Sequence, residues 1–163
     1  MKSLLLMRHA EADAAAIGQD DRERVLSALG HAQASAAGRV LKRAKLLPDL
    51  ALCSAVIRAH QTAQDLGSAA GLACSIETDD SLYSASAEHL LNFLSAQPDS
   101  AQQLLLVAHA PGVPELAAML TTPSGRLSLA CPPATLFHIE LDCDSWSAVS
   151  ANSGIMRMVL PPQ

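Results

Sequence analysis

Two arginines and two histidines form a set that could do chemistry together: Arg8 and His9, adjacent at the end of a short aliphatic run, then Arg58 and His109. An arginine presents a planar donor fork that matches phosphate or carboxylate oxygens, and an imidazole serves as acid, base, nucleophile or metal ligand. Gathered at one point, the four make an anion pocket. Phosphate is the anion they suit best, since charge developing on a transferring phosphoryl group calls for fixed donors. One imidazole could attack phosphorus. Flanking guanidinium groups disfavour protonation of a neighbouring histidine, so they keep the attacking ring neutral while holding the phosphoryl group in line.

Gathering these groups requires elements that end at the same place. Ser3-Leu4-Leu5-Leu6-Met7 is too brief for a buried helix and reads as an inner strand covered on both faces, with Arg8 and His9 at its carboxyl end. A second short apolar run, 49–54, is followed by a turn and a helical stretch over 57–66 that ends at Gly67 or Gly71. This order places Arg58 near a helix N-terminus, where free N–H groups and the dipole favour an anion. A third run, 103–108, leads to His109 and then to a helix over 114–120, whose proline suits the first turn. Ligands of open α/β sheets bind beyond the carboxyl ends of the strands, so one parallel sheet could converge all four side chains at one edge.

The remaining segments complete the plan. A polar loop spans 11–23, an Ala-rich helix about 31–44, a further strand 73–77 and an amphipathic helix 86–96. Lys42, Arg43 and Lys45 near the end of the Ala-rich helix suit its C-terminal dipole. Strands over 134–141 and 146–151, joined by the turn 142–145, and another over 155–160 read as an antiparallel extension. The expected fold is a three-layer α/β/α sandwich with a mostly parallel central sheet and an antiparallel edge, in a single domain spanning 1–163.

Composition narrows the function. Half of the 163 residues are apolar but only one Trp, one Tyr and two Phe are present, so the core must be built from Leu, Ala, Val and Ile. The net charge of −5 disfavours nucleic-acid binding, which depends on a basic surface. Cys53, Cys74, Cys131 and Cys143 lack zinc-site spacing, and Cys53 lies in an apolar run that suits packing. His9 with Glu11 and His138 with Glu140 have an i, i+2 spacing common on strands, with no third ligand implied, so neither a metal nor another cofactor is expected. His31, His60, His89 and His138 read as surface or helix residues. The first apolar run is too short for a signal peptide, and no segment approaches the ~18 apolar residues of a membrane span. A cytoplasmic protein with reduced thiols is the expectation.

Segments around the four residues resemble the motifs of the histidine phosphatase (phosphoglycerate mutase-like) superfamily. Leu6-Met7-Arg8-His9-Ala10-Glu11-Ala12 is similar to its Arg-His-Gly signature, with Ala10 where glycine is usual. Ser54-Ala55-Val56-Ile57-Arg58-Ala59-His60-Gln61-Thr62-Ala63 resembles Ser-Pro-x-x-Arg-Ala-x-Gln-Thr-Ala, with Ala55 replacing proline, and His109-Ala110-Pro111-Gly112 resembles the late histidine motif. Arg24-Val25-Leu26-Ser27-Ala28-Leu29-Gly30 is similar to a segment of the short, SixA-type phosphohistidine phosphatases. The resemblance, spanning roughly 3–120 in order and spacing, implies a phosphoglycerate mutase-like fold. It makes His9 the nucleophile that becomes phosphorylated, with Arg8, Arg58 and His109 binding the phosphoryl group and Arg24 approaching the same pocket.

Larger relatives in that superfamily carry an acidic proton donor on a long insertion after the second motif, whereas here 79–84 continues directly into the next helix. Glu88 is the one acid to consider, against the simpler reading of an exposed helix carboxylate. A missing acid costs most for alkyl phosphate esters, because general acid catalysis is typically worth ~10²–10⁴-fold. Imidazole, with a pKa near ~6.5, leaves with much less help. The residues themselves suggest a metal-independent phosphatase, and the resemblance, together with the short cap over 79–84 that would leave the pocket open to a histidine on another protein, implies a protein phosphohistidine as substrate, as in the phosphotransfer domains of signalling relays. The alternatives are a phosphatase of phosphorylated small molecules and a module that binds phosphate without turnover. Residues 121–135 could shape the pocket rim.

Overall fold

The computed structural model describes residues 1–123 and 128–163. The sheet built by these residues has six strands: β1 (Lys2–Arg8), β2 (Leu50–Ser54), β3 (Ile76–Asp79), β4 (Gln103–Ala108), β5 (Leu136–Leu141) and β6 (Gly154–Leu160). Their order is β3-β2-β4-β1-β5-β6, with β3, β2, β4 and β1 parallel and β5 and β6 antiparallel at one side. Four α-helices cover it: α1 (Ala28–Ala44), α2 (Ile57–Ala70), α3 (Ala87–Ser95) and α4 (Gly112–Thr121).

Alternation along β1 explains the three layers. Leu4 and Leu6 join the core beneath α3 and α4, while Leu5 and Met7 face α1 and α2, and all four are fully buried. A strand with apolar side chains on both faces must be covered on both, and the neighbouring β4 repeats the pattern with Leu104 and Leu106 against Leu105 and Val107. Small residues bring the α1–α2 layer close. At Gly38 a Cβ would fall 2.3 Å from the Leu66 carbonyl oxygen, so α1 could not approach α2 this closely with any other residue.

The sheet edge where the candidate residues sit is fixed by register. Arg8 pairs with Ala108 across β1 and β4, so the next residues, His9 and His109, emerge side by side. Strand β2 pairs with the other side of β4 and feeds directly into α2, which starts at Ile57. The N-cap residue of α2, Val56, supplies no side-chain acceptor, so Arg58 enters from a first turn whose N–H groups are not side-chain capped.

Several boundaries differ from the sequence expectation. Helix α1 starts at Ala28, three residues before His31, because the Ser27 hydroxyl accepts the Gly30 N–H at 3.0 Å and caps it. Helix α4 likewise starts at Gly112, ahead of Pro114. The strand expected over 73–77 lies at Ile76–Asp79, since it must stand opposite Ala51–Ser54 of β2 after Gly71 ends α2 in a left-handed conformation. The strand expected over 146–151 is absent: Trp146–Ala148 is a 3-10 turn. Asp99 accepts the Trp146 backbone N–H at 2.8 Å, and the indole, fully buried, donates to the Ala101 carbonyl at 2.8 Å. A side chain of that size plugs the core beneath α3 better than it would line an edge strand.

Candidate active site

His9 sits at the centre of the site. It is 9 % exposed, its backbone N–H donates to the Ala108 carbonyl, and its own carbonyl accepts from Ala134. Its Nδ1 lies 2.7 Å from the Ala10 carbonyl oxygen. A carbonyl only accepts, so Nδ1 carries the proton and Nε2 keeps its lone pair. That lone pair faces the Arg58 Nε–H, 3.4 Å away. The ring pKa is pushed down to about 4, first by burial and then by the positive charges of Arg58, Arg8 and Arg24, against the raising effect of the Ala10 carbonyl.

His109 stands beside it, the two ring centroids 5.1 Å apart. Burial, with the neighbouring His9, Arg58 and Arg8, lowers its pKa to about 3. Both imidazoles are therefore neutral at pH 7. Among the described residues, His109 Nε2 and Arg8 Nε are buried polar atoms without a hydrogen-bond partner. Arg8 is anchored at its other end, where Nη1 donates to the Cys131 carbonyl at 2.7 Å and its backbone N–H to Thr135 at 3.0 Å.

Arg58, 4 % exposed, is held by a residue that sequence reasoning missed. Its Nη2 donates to Asp21 Oδ2 at 2.8 Å and its Nη1 to the Asp21 carbonyl. The same Oδ2 accepts the Tyr83 hydroxyl at 2.9 Å, and Oδ1 accepts Arg24 Nη1 at 3.0 Å. Hydrogen bonds from Arg24, Tyr83 and Arg58 hold the Asp21 carboxyl at a pKa of about 2, ionised throughout the neutral range. Arg24 thus reaches the pocket through Asp21, and its Nε is spent on the Asp13 carbonyl. Asp21 lies in a loop whose polarity hides one acid among several, and what aims it is its place at the start of the 3-10 turn Asp21–Glu23, a turn that carries no strong sequence signal.

Two residues of the second motif act as braces. Thr62 Oγ1 accepts the Ala10 N–H at 3.0 Å and donates to the Arg58 carbonyl at 2.7 Å, tying the end of β1 to α2. Gln61 Oε1 accepts the Leu26 N–H at 2.8 Å and holds the loop that carries Asp21. Gly30 completes the fit, because a Cβ there would meet the Glu11 carbonyl oxygen at 1.9 Å. The rim expected over 121–135 is described in part: Cys131, Ala134 and Thr135 fasten Arg8 and His9 through backbone groups, and 124–127 lie outside the described residues. Glu88 is exposed in the first turn of α3. Cys53 is fully buried with its thiol pushed up to about 12 by burial, as packing requires. His31 pairs with Asp65 on the surface, whereas His138, expected as a surface or helix residue, is buried on β5, where it meets the Ser3 hydroxyl at 3.1 Å, away from the pocket.

Arg8, Arg58 and His109 around the Nε2 lone pair of His9, at the carboxyl edge of a parallel sheet, make an arrangement suited to a phosphatase of the α/β class. The chain belongs to the histidine phosphatase superfamily (branch 1), whose family model matches residues 4–90. Among solved structures, proteins provisionally named phosphohistidine phosphatase SixA are similar: one from Nakamurella multipartitia has 26 % identity, a TM-score of 0.85 and coverage of 99 % of this chain and 96 % of that one. One from Agrobacterium tumefaciens has 26 % identity, a TM-score of 0.82 and 99 % coverage of both chains. An uncharacterized chloroplastic protein of Arabidopsis thaliana is 29 % identical over 94 % of this chain and 72 % of its own length. Among the described residues no helix is long and apolar enough to cross a membrane.

The buried neutral imidazoles make stability depend on pH. Both folded pKa values lie below the unfolded value of ~6.5, so the unfolded chain takes up protons that the folded pocket refuses. Stability is therefore full above about pH 6.5 and falls as pH drops toward 4. Urea unfolding at pH 7 and pH 4.5 should show this fall, and His109→Gln should make it shallower by on the order of 1–2 kcal/mol. An equal fall in the variant would mean that His109 is not held neutral.

Proposed function

We propose that the chain is a metal-independent phosphatase that forms a phospho-His9 intermediate and that its substrate is a phosphohistidine displayed on a protein. The observation that carries the mechanism is the fixed tautomer of His9, whose Nε2 lone pair points toward the Arg58 guanidinium. Nε2 attacks phosphorus in line, the bond from phosphorus to the substrate's imidazole nitrogen breaks, and the electron pair leaves with that ring, which departs as neutral imidazole because its other nitrogen carries a proton. Water then attacks the phospho-His9 phosphorus. The N–P bond returns its electron pair to Nε2, and the water's proton leaves with inorganic phosphate. Arg8, Arg58 and His109 hold the phosphoryl oxygens, and Arg24 acts through Asp21.

The ionised state of Asp21 supports the substrate assignment. It is the carboxylate in contact with Arg58, and at a pKa of about 2 it has no proton to give a leaving alkoxide. Exchange of one N–P bond for another needs no proton on the leaving atom from an enzyme acid, because a ring protonated on its other nitrogen, as an imidazole of pKa ~6.5 can be near neutral pH, leaves as neutral imidazole. The names of the structural relatives point the same way. The test is phosphate release from a phosphorylated histidine-phosphotransfer domain, with para-nitrophenyl phosphate and a panel of phosphometabolites alongside. Release from the protein that far exceeds ester hydrolysis supports the proposal. Turnover of a phosphometabolite alone would move the substrate to small molecules, and tight phosphate binding without any release would make the pocket a binding module.

A further inference from the structure

We propose that Tyr83 is a positioning residue of the phosphoryl pocket, its ring fixing the plane of His109 and its hydroxyl fixing Asp21 against Arg58. This inference rests on the phosphatase reading of the pocket. The Tyr83 ring stands perpendicular to the His109 ring, at 89° and 5.6 Å between centroids, while His9 packs on His109 from just past the end of β1 at 5.1 Å. Because His109 Nε2 is buried with no hydrogen-bond partner among the described residues, that atom gives the ring no directional tie, and packing must set its plane. The phenol hydroxyl lies 2.9 Å from Asp21 Oδ2, the oxygen that also takes Arg58 Nη2 at 2.8 Å. One side chain thus touches both arms of the pocket.

Tyr83 is itself rigidly held. It closes the 3-10 turn Asp80–Leu82, and Leu82 before it is fully buried. The Arg22 guanidinium lies over its ring, 5.0 Å from the centroid, and bonds to Asp80 of the same turn. Two residues on, the Ala85 carbonyl oxygen would be 2.1 Å from a Cβ at Gly112, so this loop rests directly on the start of α4, next to His109. A loop braced from both sides transmits its position to what it touches.

Two variants separate the ring from the hydroxyl, and three readouts separate positioning from simple stability: kcat against KM, inorganic phosphate binding by calorimetry, and NMR titration of the His109 imidazole. The charged and titratable groups facing His109 are Arg8 from β1 and His9 just beyond it, Arg58 from α2, Asp21 from its 3-10 turn and the Tyr83 phenol. Tyr83→Leu should lower kcat at least about tenfold with little change in KM, and should shift the His109 titration upward as water reaches the ring. Tyr83→Phe should keep the His109 titration of the wild type while lowering kcat and phosphate affinity a few-fold through the loosened Asp21–Arg58 pair. Wild-type kcat in both variants, or an unmoved His109 titration in Tyr83→Leu, overturns the assignment. The titration and phosphate binding need no substrate, so they judge Tyr83 even if the wild-type protein turns over none of the phosphoryl compounds and the phosphatase reading itself fails.

Discussion

His9→Ala should reduce phosphate release by at least about four orders of magnitude, the scale on which loss of a covalent nucleophile registers in other enzymes. The reason lies in how little else in the pocket could replace it. His109 is the other neutral imidazole, yet its ring stands 5.1 Å from that of His9, and its Nε2 has no partner that fixes a tautomer among the described residues. His9 alone has Nδ1 committed to a carbonyl and Nε2 facing a guanidinium. The wild-type protein should accumulate an acid-labile, alkali-stable phosphoryl label in a rapid-quench experiment, and the variant should carry none. A labelled His9→Ala protein would refute the nucleophile assignment. Folding should survive, because the lost ring makes two side-chain hydrogen bonds, one to its neighbour Ala10 and a long one from Arg58 Nε, and the backbone bonds to Ala108 and Ala134 remain.

Arg58→Met should cost about 10³–10⁵-fold in kcat, the range spanned by arginines that stabilise a transferring phosphoryl group. Methionine keeps an unbranched apolar stem like that of arginine and removes the guanidinium, Nε included. Two consequences follow from the geometry. The His9 pKa should rise, because Arg58 is the largest of the charges that lower it, so the acid limb of the pH–rate profile should move to higher pH. Asp21 would keep its bonds to Arg24 and Tyr83 but lose the partner that orders it toward the pocket. Arg58→Lys should recover little, since a single ammonium cannot reach His9 and Asp21 together as Nε and Nη2 do. If Arg58→Met stays within tenfold of the wild type, the guanidinium braces the loop and takes no part in the reaction.

Much of this protein was legible before any coordinates, and the legible part has a common cause. The strand over 3–7, the turn-to-helix step at Arg58 and the run ending at His109 are short segments whose apolar pattern and punctuation act within a few residues. Motif spacing then carried the four pocket residues, because a parallel sheet brings strand ends together whatever lies between them. The mixed sheet with its antiparallel side followed from the same local patterns.

What the chain alone left undecided depends on contacts between residues far apart in sequence. Residues 146–151 read as a strand beyond the polar turn 142–145, but the Trp146 indole finds a buried carbonyl at Ala101, and the segment forms a 3-10 turn instead. Asp21 was one acid in a polar loop. Its importance comes from Arg58, 37 positions later, and from Tyr83, 62 positions later, converging on one oxygen. Thr62 and Gln61 were motif letters until the fold set them against Ala10 and Leu26. The sequence determined which groups could do chemistry and at which element ends they sit, since those are local properties. The tertiary structure alone decided which nitrogen of His9 holds the lone pair, which carboxylate stays ionised beside Arg58, and what fixes the plane of His109, because each depends on a partner that only folding brings within reach.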